Sequence, residues 1–193
     1  MLKIVLTFLK LNFLLLSLLV IINVFKLPSL TFLIFRFFDI LYNIIDKLID
    51  KLIKTTHEID VKEFDLYTSN ESFGPHAEYI RDGLIWETWR KNLIRIIEEG
   101  KVNQVIVMMT INSLCLVSIT EFMDDMLELK AKYGWNKPLI DLNILRWPAF
   151  MSPLNLPNDI KATLHKKLFD WFEVNKNNDL LAIHEKAQIQ RLI

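Results

Sequence analysis

Val102-Asn103-Gln104-Val105-Ile106-Val107-Met108-Met109-Thr110 (VNQVIVMMT) is a short, largely apolar run rich in β-branched residues. Gly100 punctuates the chain before it and the polar pair Asn112-Ser113 follows it. A run of this length reads as a strand rather than a helix, and its apolar character predicts burial on both faces, as in a parallel sheet. Upstream, residues 63–68 (EFDLYT) give a first strand and 69–75 a polar loop. Residues 76–82 give a short helix broken near Gly83. Residues 85–99 give a longer helix with Ile85, Trp86, Trp89, Leu93, Ile96 and Ile97 on one face, stopped by Gly100. Downstream, Ser118 and Glu121 have capping-box spacing and open a helix through Phe122, Met126, Leu129 and Tyr133, closed by Gly134. Residues 138–146 (PLIDLNILR) give a third strand. A helix from Asn158 carries Ile160, Leu164, Leu168, Trp171 and Phe172, and a last helix covers 179–193. Strands alternating with helices of this length pair in parallel through right-handed crossovers, so the fold class is α/β. Three strands form part of a (β/α) barrel, or an open sheet with unprotected edges.

The 193 residues carry 23 basic and 23 acidic side chains. That balance argues against a nucleic-acid-binding protein, which shows a basic excess. The hydrophobic share of 52% excludes disorder along the whole chain. The zero net charge hides two compositions, +4 over residues 1–54 and −4 over 55–193. The boundary falls at Thr55–Thr56. Residues 1–54 hold no glycine and are rich in Leu, Ile and Phe. Leu11–Phe25 is an uncharged run of 15 residues, about 22 Å as a helix against a hydrocarbon core of about 30 Å. Extended to residues 4–25 it becomes a marginal membrane span with Lys10 near one end, where a long side chain can snorkel. Residues 37–54 (FFDILYNIIDKLIDKLIK) have helical amphipathic spacing, with charges of both signs on the polar face. The expected organisation is a hydrophobic helical segment over 1–54, serving as a membrane anchor if residues 4–25 insert, and an α/β domain over 55–193 on the cytoplasmic side.

In parallel α/β folds ligands gather at the carboxyl ends of the strands. Those ends hold Thr68, Ser69, Asn70 and Glu71; then Thr110, Asn112 and Ser113; then Asn143, Arg146 and Trp147. Such groups suit a small zwitterionic or ribose-bearing ligand, and they are also ordinary turn and cap residues. Other chemistries lack their residues. The four histidines, His57, His76, His165 and His184, have no metal-site spacing. No glycine-rich phosphate loop can be built from four glycines, all after position 73. Cys115 sits in the apolar run Leu114–Val117 and reads as a buried, inert thiol. Asp124, Asp125 and Glu128 read as the solvated face of a helix.

Glu63–Leu84 (EFDLYTSNESFGPHAEYIRDGL) resembles the middle of radical S-adenosylmethionine proteins of the twitch-domain group, above all at Ala77-Glu78-Tyr79-Ile80-Arg81-Asp82-Gly83-Leu84. The likeness extends through Trp86–Trp89, the strand Val105–Thr110 with Asn112, the helix Phe122–Tyr133 and Leu145-Arg146-Trp147-Pro148, over roughly residues 60–193. It implies a partial (β/α) barrel that binds S-adenosylmethionine beside a 4Fe–4S cluster, the cofactor supplying the radical chemistry. By the same resemblance Ser69, Asn70 and Glu71 contact the methionyl or ribose part, Arg81 pairs with a carboxylate, and Asn112 and Arg146 line the cavity. The family's C-x3-C-x2-C motif is absent, and one cysteine cannot ligate a cluster that needs three thiolates. The resemblance therefore implies a truncated or split product, the cofactor-binding half of the barrel, inactive by itself and completed by a second chain carrying the cysteine motif. The competing expectation is a membrane-anchored α/β interaction protein; a third is a decayed reading frame.

Overall fold

The computed structural model describes residues 44–58 and 64–193. Residues 44–58 form a helix, α1, which overlaps the amphipathic stretch expected over 37–54 and runs on past its end to residue 58. The rest of that stretch, and the 4–25 run expected to insert in a membrane, lie outside the described residues. Among the described residues no helix is long and apolar enough to cross a membrane. Ile53–Ile193 makes a compact unit.

Strands β1 (Asp65–Ser69), β2 (Gln104–Ile111) and β3 (Leu139–Ile144) form a parallel sheet in the order β1-β2-β3. Helices α2 (Gly74–Ile80) and α3 (Trp86–Glu99) join β1 to β2, and α4 (Ile119–Tyr133) joins β2 to β3. Helices α5 (Asn158–Asn175) and α6 (Ile183–Leu192) follow β3. The α/β class and its parallel pairing are therefore as the alternation predicts.

The expected burial of β2 on both faces is not what the structure shows. Val105, Val107, Met109 and Ile111 are buried, while the alternate Met108 is 39% exposed and Thr110 is exposed. The helices between strands lie over one face only. The Trp89 indole N–H donates to the Thr68 hydroxyl at 3.0 Å, which sets α3 on the side of Leu66, Thr68, Val105 and Val107. The Trp86 and Trp89 rings lie 5.9 and 6.1 Å from the Phe122 ring of α4, so α3 and α4 stand side by side on that face. Two right-handed crossovers that step in the same direction put both helices on the same side of the sheet. The apolar character of Ile106 and Met108 thus marks a face that no described helix covers.

Two local expectations also change. Gly100 ends α3 in ordinary extended geometry (φ −86°), not in the left-handed region. It is required instead by close approach, since a Cβ there would lie 2.6 Å from the Ile96 carbonyl oxygen. Asp125 is not on a solvated face: it is buried and takes two hydrogen bonds from Arg90 Nε at 2.8 and 3.1 Å. Burial lifts its carboxyl above the usual range despite the guanidinium beside it. Asp124 stays exposed yet accepts the Trp171 indole N–H at 2.6 Å, tying α4 to α5.

Nor are both sheet edges unprotected. The outer backbone of β3 is capped by side chains one α6 turn apart: Glu185 accepts the Ile140 N–H at 2.7 Å, Gln188 accepts the Leu142 N–H at 2.9 Å, and Arg191 donates to the Leu142 carbonyl at 3.3 Å. A helix that satisfies an edge strand in this way prevents further pairing there. Among the described residues nothing comparable lies along β1.

Candidate functional site at the strand ends

Ser69 is the last residue of β1. Beyond it Asn70, Glu71 and Ser72 turn into α2, all three buried. The turn is locally stabilised, because the Asn70 side-chain oxygen accepts the Glu71 N–H at 2.9 Å and the Ser72 N–H at 3.4 Å. Asn112, just past β2, acts in the same manner, its oxygen accepting the N–H groups of Leu114 and Cys115 at 2.9 and 3.0 Å. Each asparagine therefore spends its oxygen on a turn. The Asn70 amide nitrogen is buried without a partner, and that of Asn112 makes only long contacts, 3.5 Å to Glu71 Oε1 and to the Thr110 carbonyl.

Arg81, the residue that ends α2, closes the group. Its Nε donates to both Glu71 oxygens at 3.2 and 3.0 Å; its Nη2 pairs with Glu71 Oε2 and donates to Ser69 Oγ at 3.1 Å. Glu71 is 4% exposed and Arg81 31% exposed, so the carboxylate is buried under a guanidinium that still reaches solvent. Charge-assisted contacts of this kind are about twice as strong as neutral ones. Arg81 is not the surface partner of Asp82 or Glu78 that its neighbours suggest. Glu78 instead accepts the Trp86 N–H at 2.9 Å, at the start of α3.

Five of the six residues singled out from the sequence, Ser69, Asn70, Glu71, Arg81 and Asn112, thus meet at the carboxyl ends of β1 and β2. Arg146 does not join them. It follows β3 by two residues, is exposed, and makes no hydrogen bond among the described residues. The reason is local: after Ile144 the chain turns into short 3-10 turns at Ala149–Met151 and Pro153–Asn155, docked by a Ser113 N–H to Met151 carbonyl bond at 2.8 Å.

Ser118 is the residue that sequence reading misplaced. Its hydroxyl makes no cap bond on α4. It lies 2.6 Å from the Ser72 hydroxyl and accepts the Phe73 N–H at 3.2 Å, pinning the β1–α2 turn to the start of α4. Glu121 is engaged elsewhere, by Lys167 at 2.7 Å and by the Thr120 hydroxyl. Ser118→Ala leaves Ser72 and the Phe73 N–H without this partner in a buried setting, so it is expected to lower the unfolding free energy by about 1–2 kcal/mol. Glu121→Ala removes only an exposed ion pair and is expected to cost less than about 1 kcal/mol. Urea denaturation of both variants checks the order; equal losses would restore the capping box.

Cys115 lies under the cluster, fully buried, with burial pushing its thiol up to about 12. It donates to the Asn112 carbonyl at 3.1 Å and is neither a nucleophile nor a ready metal ligand. A separate cleft of about 290 Å³, lined by Leu116, Ile144, Leu164, Leu168, Lys161 and Arg191 among others, contains none of the cluster residues. Its lining holds no Asp or Glu side chain.

Comparison with protein families, with curated proteins and with solved structures gives no match to this chain.

Proposed function

We propose that residues 55–193 are part of a (β/α) barrel and bind S-adenosylmethionine through its aminocarboxylate group at the strand-end cluster. Two observations support the barrel. The strands follow in sequence order, and the helices between them cover one face, whereas a doubly wound sheet carries helices on both. The observation that carries the ligand reading is the pairing of buried Glu71 with Arg81 beside the unpartnered amide nitrogen of Asn70 and that of Asn112, which makes only long contacts. Glu71 suits an ammonium group, and the guanidinium with the amide N–H groups suits a carboxylate.

The 4Fe–4S cluster does not fit this chain. Its one cysteine is buried and held protonated, and a cluster needs several thiolates. The proposed activity is therefore binding of the sulfonium cofactor, with any cluster supplied by a second polypeptide carrying the cysteine motif. Isothermal titration of the full chain with S-adenosylmethionine tests the reading. A dissociation constant below about 1 mM, equivalent to roughly 4 kcal/mol, is expected. Heat no greater than dilution, from protein whose near-UV circular dichroism shows fixed tertiary packing, overturns it.

A further inference from the structure

The two edges of the sheet are opposites. On β3, residues 140 and 142 direct their backbone outward and α6 satisfies them through Glu185, Gln188 and Arg191. On β1, the Phe64 carbonyl accepts the Asn103 N–H at 2.8 Å, so Phe64 and, by alternation, Leu66 and Thr68 face β2. The backbone groups of Asp65, Tyr67 and Ser69 then face away from the sheet, and Tyr67 is 59% exposed. Among the described residues nothing blocks this edge, and an unblocked edge is a template for another strand.

We propose that two copies of this chain pair through β1, antiparallel about a two-fold axis at Tyr67, and that the assembly stops at two. The register is self-complementary. With Tyr67 opposite its own copy, Asp65 faces Ser69 of the other copy and Leu66 faces Thr68, so no like charges meet. All three outward residues fall in hydrogen-bonded pairs of the antiparallel ladder. The two Tyr67 rings meet across the axis on the face that the crossover helices leave bare. Because α6 seals the far edge of each sheet, no third copy can add, and the contact closes as an isologous dimer rather than a fibre. The strand of a completing chain would need the same edge, so self-pairing and completion exclude each other.

Cross-linking tests this on the full chain. Cys115 is buried, with its thiol near 12, so a cysteine placed at 67 is the one reactive thiol. Hydrogen-bonded antiparallel neighbours have Cα atoms about 5.5 Å apart, within the disulfide range. Tyr67→Cys is expected to form a disulfide-linked dimer of twice 22.8 kDa under mild oxidation. Asp65→Cys alone should link at least about tenfold more slowly, while Asp65→Cys mixed with Ser69→Cys should link at the fast rate. A Tyr67→Cys protein that stays monomeric, or an Asp65→Cys protein that links to itself as fast as Tyr67→Cys does, overturns the proposal. So does recovery of the linked protein with a polypeptide of another mass.

Discussion

Glu185→Leu is expected to lower the unfolding free energy by about 3–5 kcal/mol, and Lys130→Met by a similar amount, read from urea midpoints. Both side chains are at 0% exposure, and their charged atoms lie 2.7 Å apart. Lys130 also donates to the carbonyls of Trp135 and Leu180 at 3.0 and 3.1 Å. Glu185 also accepts the N–H groups of Ile140 and Ala182, both at 2.7 Å. Removing either partner leaves the other charge buried and uncompensated, which is the expensive case. The pair fastens α4, β3 and α6 together, and through Glu185 it seals the β3 edge. The double variant Lys130→Met/Glu185→Leu should lose less than the two single losses added together. It should still fall short of the unmodified chain, because the buried Ile140 N–H and the half-buried Ala182 N–H lose their acceptor. Burial holds the Lys130 ammonium below its usual 10.5, outweighing the neighbouring carboxylate. The unfolded chain then binds more protons than the folded one in the window just under 10.5, so this group's contribution to stability rises with pH across that window. Lys130→Met should abolish that slope. Single variants that lose less than about 1 kcal/mol would show that the interior solvates these charges after all.

What the sequence made legible was whatever depends on nearest neighbours. The run at 102–110, the helix faces around Trp86, Leu93, Phe122 and Leu168, and the glycine stops all follow from spacing along the chain, and the structure puts strands and helices there. Contacts between distant positions were not legible. Lys130 and Glu185 are 55 residues apart and Ser72 and Ser118 are 46 apart, with no periodicity to join them. Ser118 shows why a motif can mislead: its spacing to Glu121 is right, but the Ser72 hydroxyl, the Phe73 N–H and Lys167 draw the two side chains to other partners. The same holds for Asp125, which alternation places beside exposed acids until Arg90 of the neighbouring helix encloses it. At the site, the strand-end rule brought together Ser69, Asn70, Glu71 and Asn112 because it depends only on where strands stop. It failed for Arg146, whose side chain is directed by the turns that follow β3. The apolar face at Ile106 and Met108 misled for a different reason: hydrophobicity shows that a surface is suited to burial, not that the described residues supply the cover.

Glu71→Gln is expected to weaken S-adenosylmethionine binding by about 10–100-fold, or roughly 1.4–2.7 kcal/mol, while leaving the fold nearly as stable. The amide keeps the shape of the carboxylate and one acceptor toward Arg81, but it cannot offer a negative charge to an ammonium group. Arg81→Met should act differently. It strips the guanidinium from a carboxylate that is 4% exposed, so stability falls by about 3–5 kcal/mol along with binding. Arg81→Lys should restore the charge without the fork that spans Glu71 and Ser69, recovering part of the stability and little of the affinity. Titration heats read against urea midpoints separate the two roles. A cluster that only braces the β1–α2 turn would let Glu71→Gln bind the cofactor as the unmodified chain does, with Arg81→Met altering stability alone. A cluster that grips the aminocarboxylate makes affinity fall in all three variants, while stability falls steeply only where the buried carboxylate has lost its cation.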